Sequence, residues 1–280
     1  MNNLVTRSLS GAVFIVIVMG SILLHPYAYA GMMLVVVVWS ILEYYDMVFK
    51  DRVHANKLLG SGMGIAIFIA GFLYAQDTVS GKIFLFFIPA IILVFISHLY
   101  FSDQYSFRTI AYSIAGVVYI VLPLTLCNGL VFPSSEGHFM DPERKYVPDL
   151  LLGFFILLWV NDTFAYLTGI MFGKHRLFER ISPKKSWEGF FGGLICTVAL
   201  SLLVAQLFPI ILPWYHWMAV AAIIVVFGVY GDLIESLLKR NLKIKDSGHF
   251  LPGHGGILDR FDSVLVSAPM VYFYLRVFVL

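Results

Sequence analysis

Residues 236–262 gather Ser236, Lys239, Arg240, Lys243, Lys245, Asp246, His254, Asp259, Arg260 and Asp262 into one short span, with glycines at 255 and 256. The basic side chains suit an anionic substrate, and the carboxylates suit a divalent cation carried with it. Just upstream, Asp232, Glu235, Ser236, Lys239 and Arg240 fall at i, i+3, i+4, i+7 and i+8, a spacing that places them on one face of a helix. Lys239 or Arg240 could instead pair back along that face with Asp232, through Glu235 or Ser236. The glycines before Asp259 let backbone N–H groups turn toward a phosphate. Asp259 and Asp262, three residues apart at a helix start, suit Mg²⁺ that shares its shell with substrate phosphates; capping of the same helix would use them too. The chemistry this composition fits is phosphate transfer at a bilayer surface.

Two further groups have the same character. Ser182-Pro183-Lys184-Lys185-Ser186-Trp187-Glu188-Gly189 sets two lysines between hydroxyls just before an apolar run, as an anion site at a helix N-terminus would, or as a basic segment resting on lipid headgroups would. Asn161-Asp162 lies in the middle of another apolar run, where an ionisable group marks function by default. The chain carries no Gly-x-x-x-x-Gly-Lys-Ser/Thr loop, no His-Glu-x-x-His, no serine-hydrolase elbow and no Cys/His metal spacing.

The elements that must position these groups are membrane helices. Only 13% of the 280 residues are charged and 60% are hydrophobic, against about 25% charged in a soluble domain. The pattern predicts an all-α, polytopic membrane protein with nine transmembrane helices near 8–24, 28–48, 58–76, 83–101, 109–130, 148–172, 189–213, 217–236 and 263–279. Arg7, the apolar run 11–24 and Ala28-Tyr29-Ala30 imitate a cleavable leader, but the apolar pattern resumes at once and the first helix is expected to be retained. Of the 19 Lys and Arg residues, all but Lys82, Arg144, Lys145 and Arg276 fall on the side of the N-terminus, which the positive-inside rule assigns to the cytoplasm. Residues 1–147 read as scaffold spans with little chemistry. Residues 148–280 read as the catalytic region, with cytoplasmic loops 173–188 and 237–262, and 133–147 reads as an external connector. Cys127 and Cys196 read as small core residues. Glycine pairs at 60/64, 169/173 and 189/193 predict close helix packing, within the chain or across a homodimer.

The run Ser236, Lys239-Arg240, Lys245-Asp246, His254-Gly255-Gly256 and Asp259-Arg260-x-Asp262 resembles the signature of phosphatidate cytidylyltransferases, the CDP-diacylglycerol synthases. The segments 182–189 and Asn161-Asp162-Thr163 also look like features of that family, so the resemblance covers roughly 148–262. It implies transfer of the cytidylyl group of CTP to phosphatidate for phospholipid biosynthesis, in a bacterial-type inner membrane with the site facing the cytoplasm. On this resemblance Asp232, Asp259, Lys239, Arg240 and Asp246 are expected to be catalytic. Asp232 and Asp259, with Asp246 and Asp262, would hold Mg²⁺ and a second cation. Ser182, Lys184, Lys185, Ser186, Ser236, His254, Gly255, Gly256, Arg260 and Asp162 would bind substrate. The partners implied are CTP, phosphatidate and membrane lipid, with no nucleic acid. A CTP-dependent enzyme of another lipid phosphate or a polyprenol would share such a site, and a transporter is the alternative from a different class.

Overall fold

The computed structural model describes residues 3–49, 54–101, 107–132, 146–248 and 255–279. Among them lie α1 (Asn3–Leu24), α2 (Pro26–Phe49), α3 (His54–Ala75), α4 (Phe87–Phe101, entered through a 3-10 turn at Gly81–Phe86), α5 (Phe107–Val131, with a π-turn at Val117–Val121), α6 (Pro148–Phe172), α7 (Trp187–Leu207), α8 (Trp214–Asn241) and α9 (Leu258–Phe278). Seven helices, α2, α3 and α5 to α9, are long and apolar enough to cross a membrane; α1 and α4 contribute shorter apolar stretches at Ser10–Leu24 and Gly81–Ser97. Large apolar side chains on these helices face outward, with Val16 70%, Phe86 74% and Ile195 68% exposed. Such a surface is a liability in water and the ordinary state in lipid. The chain is a multi-pass membrane protein.

The helices fall into two compact units. The first is Met1–Asn128 with Ile244–Phe261, and the second is Gly129–Lys243 with Asp262–Leu280. In the first, Tyr45 of α2 donates its hydroxyl to the Ser113 carbonyl at 2.8 Å, and Tyr29 donates to Asn128 Oδ1 at 3.1 Å. Both rings are fully buried, and a buried phenol needs such a partner. Gly116 leaves room for the Tyr44 and Tyr45 rings, which a Cβ there would meet at 2.9 and 2.8 Å.

In the second unit α6 starts with Pro148 at a position where a missing N–H costs nothing, and Asp149 follows in the first turn, where a carboxylate suits the helix dipole. Its first half is buried through Leu158, and Gly153 admits the fully buried Trp217 ring of α8. The glycine pairs are used inside the chain. A Cβ on Gly189 would meet the Ala165 carbonyl at 2.8 Å, and one on Gly193 would meet Asn161 Oδ1 at 2.7 Å, so α7 lies against α6 almost backbone to backbone. In the first unit Gly60 and Gly64 accept Tyr45 and Val121 in the same way.

Three of the departures from the expected spans have a visible cause. The seventh helix stops at Leu207, just before Pro209, which cannot donate to a continuing ladder. The eighth runs on to Asn241, where Lys239 and Arg240 sit in the last turn and complement the dipole. The ninth begins at Leu258, five residues early, for a reason found in its capping. Between α6 and α7 the chain also forms a small antiparallel hairpin, β1 (Arg176–Phe178) with β2 (Ser182–Ser186).

Candidate functional site

The hairpin is fastened at its open end. The Trp187 amide donates to the His175 carbonyl at 3.0 Å, and the Glu188 carboxylate accepts the Lys174 amide at 3.1 Å and the His175 amide at 3.2 Å. Ser186 then caps α7, its Oγ accepting from the Gly189 amide at 3.1 Å. Lys184 and Lys185 precede the helix, as expected, and are carried there on a strand that the hairpin bonds hold in place. Ser182 begins the same strand and is half-buried.

There they meet α8. Lys185 Nζ lies 2.5 Å from Asp232 Oδ2, and the Ser236 hydroxyl donates to Asp232 Oδ1 at 3.1 Å. Asp262 of α9 interacts electrostatically with Asp232, Lys185 and Asp162, so three carboxylates and one ammonium share a neighbourhood. A cavity of about 620 Å³ opens over this group. Its polar lining includes Asn161, Asp162, Arg176, Lys184, Lys185 and Asp232, and its apolar lining includes Tyr166, Ile170, Phe190 and Val229. Asp162 is exposed within this setting rather than sealed in the helix bundle. Arg176 had no place among the expected site residues; it lines the cavity because the hairpin pairs it with Ser186.

Close packing sets the position of Asp232. A Cβ on the preceding Gly231 would collide with the Asp262 carbonyl and meet Ser263 Cα at 3.0 Å. Gly231→Ala is therefore expected to push α8 from α9 and destabilise the fold by about 1–3 kcal/mol, the usual cost of overpacking. Thermal unfolding in detergent checks this, and an unchanged midpoint would contradict it.

The remaining residues of the α8 face divide. Lys239 Nζ bonds Glu235 Oε2 at 2.8 Å, an i,i+4 pair with Glu235 buried. Within that face the lysine pairs with Glu235 one turn away, and Asp232 is left to the hairpin's Lys185. Arg240 is exposed and its Nε donates to the Ile181 carbonyl of the hairpin at 3.5 Å.

In the first unit, Asp259 is a capping carboxylate. It accepts the Gly256 amide at 2.9 Å and the Ser247 amide at 3.1 Å. Gly255 takes φ +81, where only glycine is unstrained, and a Cβ there would press on Asp259. Asp246 and Arg260 are exposed. His254 lies outside the described residues.

One partner in this unit was missed altogether. Glu43 of α2, 7% exposed, accepts the Ile257 amide at 3.0 Å, the Leu258 amide at 2.9 Å and the Ser247 hydroxyl at 3.2 Å. A helix start leaves such amides without intrahelical partners. Here a carboxylate more than 200 residues away takes two of them, which is why α9 begins at Leu258. Each would cost about 1–3 kcal/mol if buried and unmet. The signal was available: an ionisable residue inside an apolar run is suspect on that ground alone.

For Mg²⁺ the donor chemistry fits in one respect. Among the described residues no three His, Cys, Asp or Glu side chains are grouped for a cage made of protein alone. Asp232 and Asp262 offer two mutually interacting carboxylates, and Mg²⁺ commonly takes one or two carboxylates, with phosphate and water completing its octahedron.

Fold and cavity together define a multi-pass membrane protein that sets cations and carboxylates beside an apolar wall, a class suited to a charged lipid. The chain belongs to the cytidylyltransferase family, whose sequence model it matches over residues 5–278. It is 35% identical over 170 residues to the phosphatidate cytidylyltransferase of Staphylococcus epidermidis, covering 61% of this chain and 60% of the relative. The Staphylococcus aureus protein of the same name is 38% identical over 174 residues, with 61% and 60% covered. That of Bacillus subtilis is 43% identical over 123 residues, with 44% and 46% covered. The chain thus spans about three fifths of the length of the first of these relatives.

Proposed function

We propose that the chain transfers the cytidylyl group of CTP to phosphatidate, giving CDP-diacylglycerol and pyrophosphate. The observation that carries this reading is the cavity of the second unit, where Arg176, Lys184, Lys185, Asp232 and Asp162 face the same space as Tyr166, Ile170 and Phe190. Tyr166 and Ile170 are 67% and 65% exposed, so the apolar wall continues onto the surface that acyl chains would bathe. The family membership and the names of the relatives support the same reaction.

In this reading a phosphate oxygen of phosphatidate attacks the α-phosphorus of CTP. The new P–O bond forms as the bond to the β-phosphate oxygen breaks, and pyrophosphate leaves with that electron pair. Both reactants are anions, so positioning and charge neutralisation supply most of the catalysis, and no covalent protein intermediate is needed. Lys184, Lys185 and Arg176 bind phosphate oxygens, and Arg240 adds positive charge for the triphosphate. Lys185 can exchange its contact with Asp232 for a phosphate. Ser182 orients phosphates by donating its hydroxyl, and Ser236 steadies Asp232 by donating to it. Mg²⁺ held by Asp232 and Asp262 would neutralise charge on the phosphates. Asp246 and Asp259 belong to the signature segment and keep the acidic role that the family resemblance implies. In this reading the basic hairpin and the end of α8 face the cytoplasm of a bacterial-type inner membrane, an orientation that the lysine and arginine distribution supports.

Pyrophosphate release by purified protein tests the reaction. Release is expected only when CTP and phosphatidate are both present. Pyrophosphate release with another lipid phosphate and none with phosphatidate, or release of CDP in place of pyrophosphate with a polyprenol, would overturn the substrate.

A further inference from the structure

We infer that Glu43 is a positioning residue: it holds the backbone of the signature segment so that Asp259 is set for its task. The inference rests on the cytidylyltransferase reading, which gives Asp259 that task. Two carboxylates grip the segment at interleaved points. Glu43 holds the Ser247 hydroxyl and the amides of Ile257 and Leu258. Asp259 holds the amides of Ser247 and Gly256. Ser247 is common to both, and the Gly256 amide held by Asp259 directly precedes the Ile257 and Leu258 amides held by Glu43. The Glu43 grip can therefore not be lost without disturbing the Asp259 grip beside it.

The small residues of the segment fit the same arrangement. A Cβ on Gly248 would meet Glu43 Oε1 at 2.6 Å, and one on Gly256 would collide with Glu43 Oε2. The glycine at 256 therefore serves close approach of this glutamate as well as any approach of phosphate. In these contacts the Glu43 oxygens only accept, as those of an ionised carboxylate do. A negative charge buried in an apolar helix is costly unless fully bonded, and these bonds all go to the signature segment.

The test is hydrogen–deuterium exchange of the full chain in detergent, with CTP turnover measured alongside. Glu43→Gln keeps the shape but turns an N–H donor toward an amide. Exchange should rise about tenfold at Ile257 and Leu258, and also at Ser247 and Gly256, whose amides bond Asp259 and not Glu43. The turnover number should fall about tenfold or more with KM for CTP little changed, the mark of a displaced group rather than a lost binding contact. Asp46→Asn, a control on the same helix whose carboxylate is 66% exposed and pairs with Lys57, should change neither. Faster exchange confined to Ile257 and Leu258 with normal turnover would overturn the inference and leave Glu43 as a cap alone. Should Glu43→Gln not fold, Ser247→Ala removes only the hydroxyl that Glu43 holds; it should raise exchange at Gly256 and lower turnover, and no change in either would overturn the inference. Wild-type protein that folds but does not turn over CTP would defeat the reaction assigned above, while the exchange pattern would still decide whether Glu43 governs the Asp259 grip.

Discussion

Asp232→Asn is expected to lower cytidylyl transfer by about 10²- to 10³-fold, the range seen when one preorganised electrostatic group is removed from an active site. Asp232 takes Lys185 on one oxygen and Ser236 on the other, lines the cavity and shares its field with Asp262. Asparagine keeps the size and can still accept from Ser236, so what is lost is the charge. The fold should survive. The side chain is 34% exposed and its lysine 25%, and a pair so open to solvent contributes about 0–1 kcal/mol. Turnover per folded molecule, measured beside the thermal midpoint, separates the two effects. A large fall in the midpoint with turnover preserved would make the Lys185–Asp232 pair a structural strut instead.

Asp259→Asn should have an effect of similar size by a different route. The wild-type carboxylate accepts from the Ser247 and Gly256 amides. Both amides reach Oδ2, and the Ser247 amide also reaches Oδ1 at 3.3 Å. An asparagine with its oxygen at the Oδ2 position keeps both bonds in neutral form and loses the charge and the second contact to Ser247. The cost in stability is expected to be about 1 kcal/mol, the usual gap between a charged and a neutral acceptor. Turnover should fall about 10²-fold or more if the carboxylate also serves the phosphates. Exchange at Ser247 and Gly256 should quicken while Ile257 and Leu258, held by Glu43, remain protected. Near-normal turnover with the predicted fall in stability would reduce Asp259 to a helix cap.

The comparison of sequence with structure divides along the range of the interactions. Helices were legible because long apolar runs leave no other way to satisfy the backbone in lipid. The shared face of Asp232, Glu235, Ser236 and Lys239 was legible because helical spacing is local and fixed, and the glycine pairs foretold the contact of α7 with α6. Which charges pair was not legible. Spacing allowed Lys239 to reach toward Asp232 or Glu235, and the i,i+4 neighbour won, while Asp232 found Lys185 from a distant strand. The hairpin was missed because Ser-Pro-Lys-Lys-Ser has no apolar alternation; Glu188 and the His175–Trp187 bond fold it instead. Glu43 was missed because its partners lie more than 200 residues onward, and no periodicity spans that gap.

The central claim is that a cytidylyl group moves from CTP to phosphatidate at the site containing Asp232. Its most direct test is the incorporation of label from CTP, carried in the cytidine, into lipid by purified protein supplied with phosphatidate and Mg²⁺, beside Asp232→Asn and beside wild type with chelator. The account predicts a labelled CDP-lipid with the wild type, and almost none with the variant or with chelator. Folded wild-type protein that leaves all label in water-soluble nucleotide, or a variant that labels lipid as fast as wild type, would contradict it.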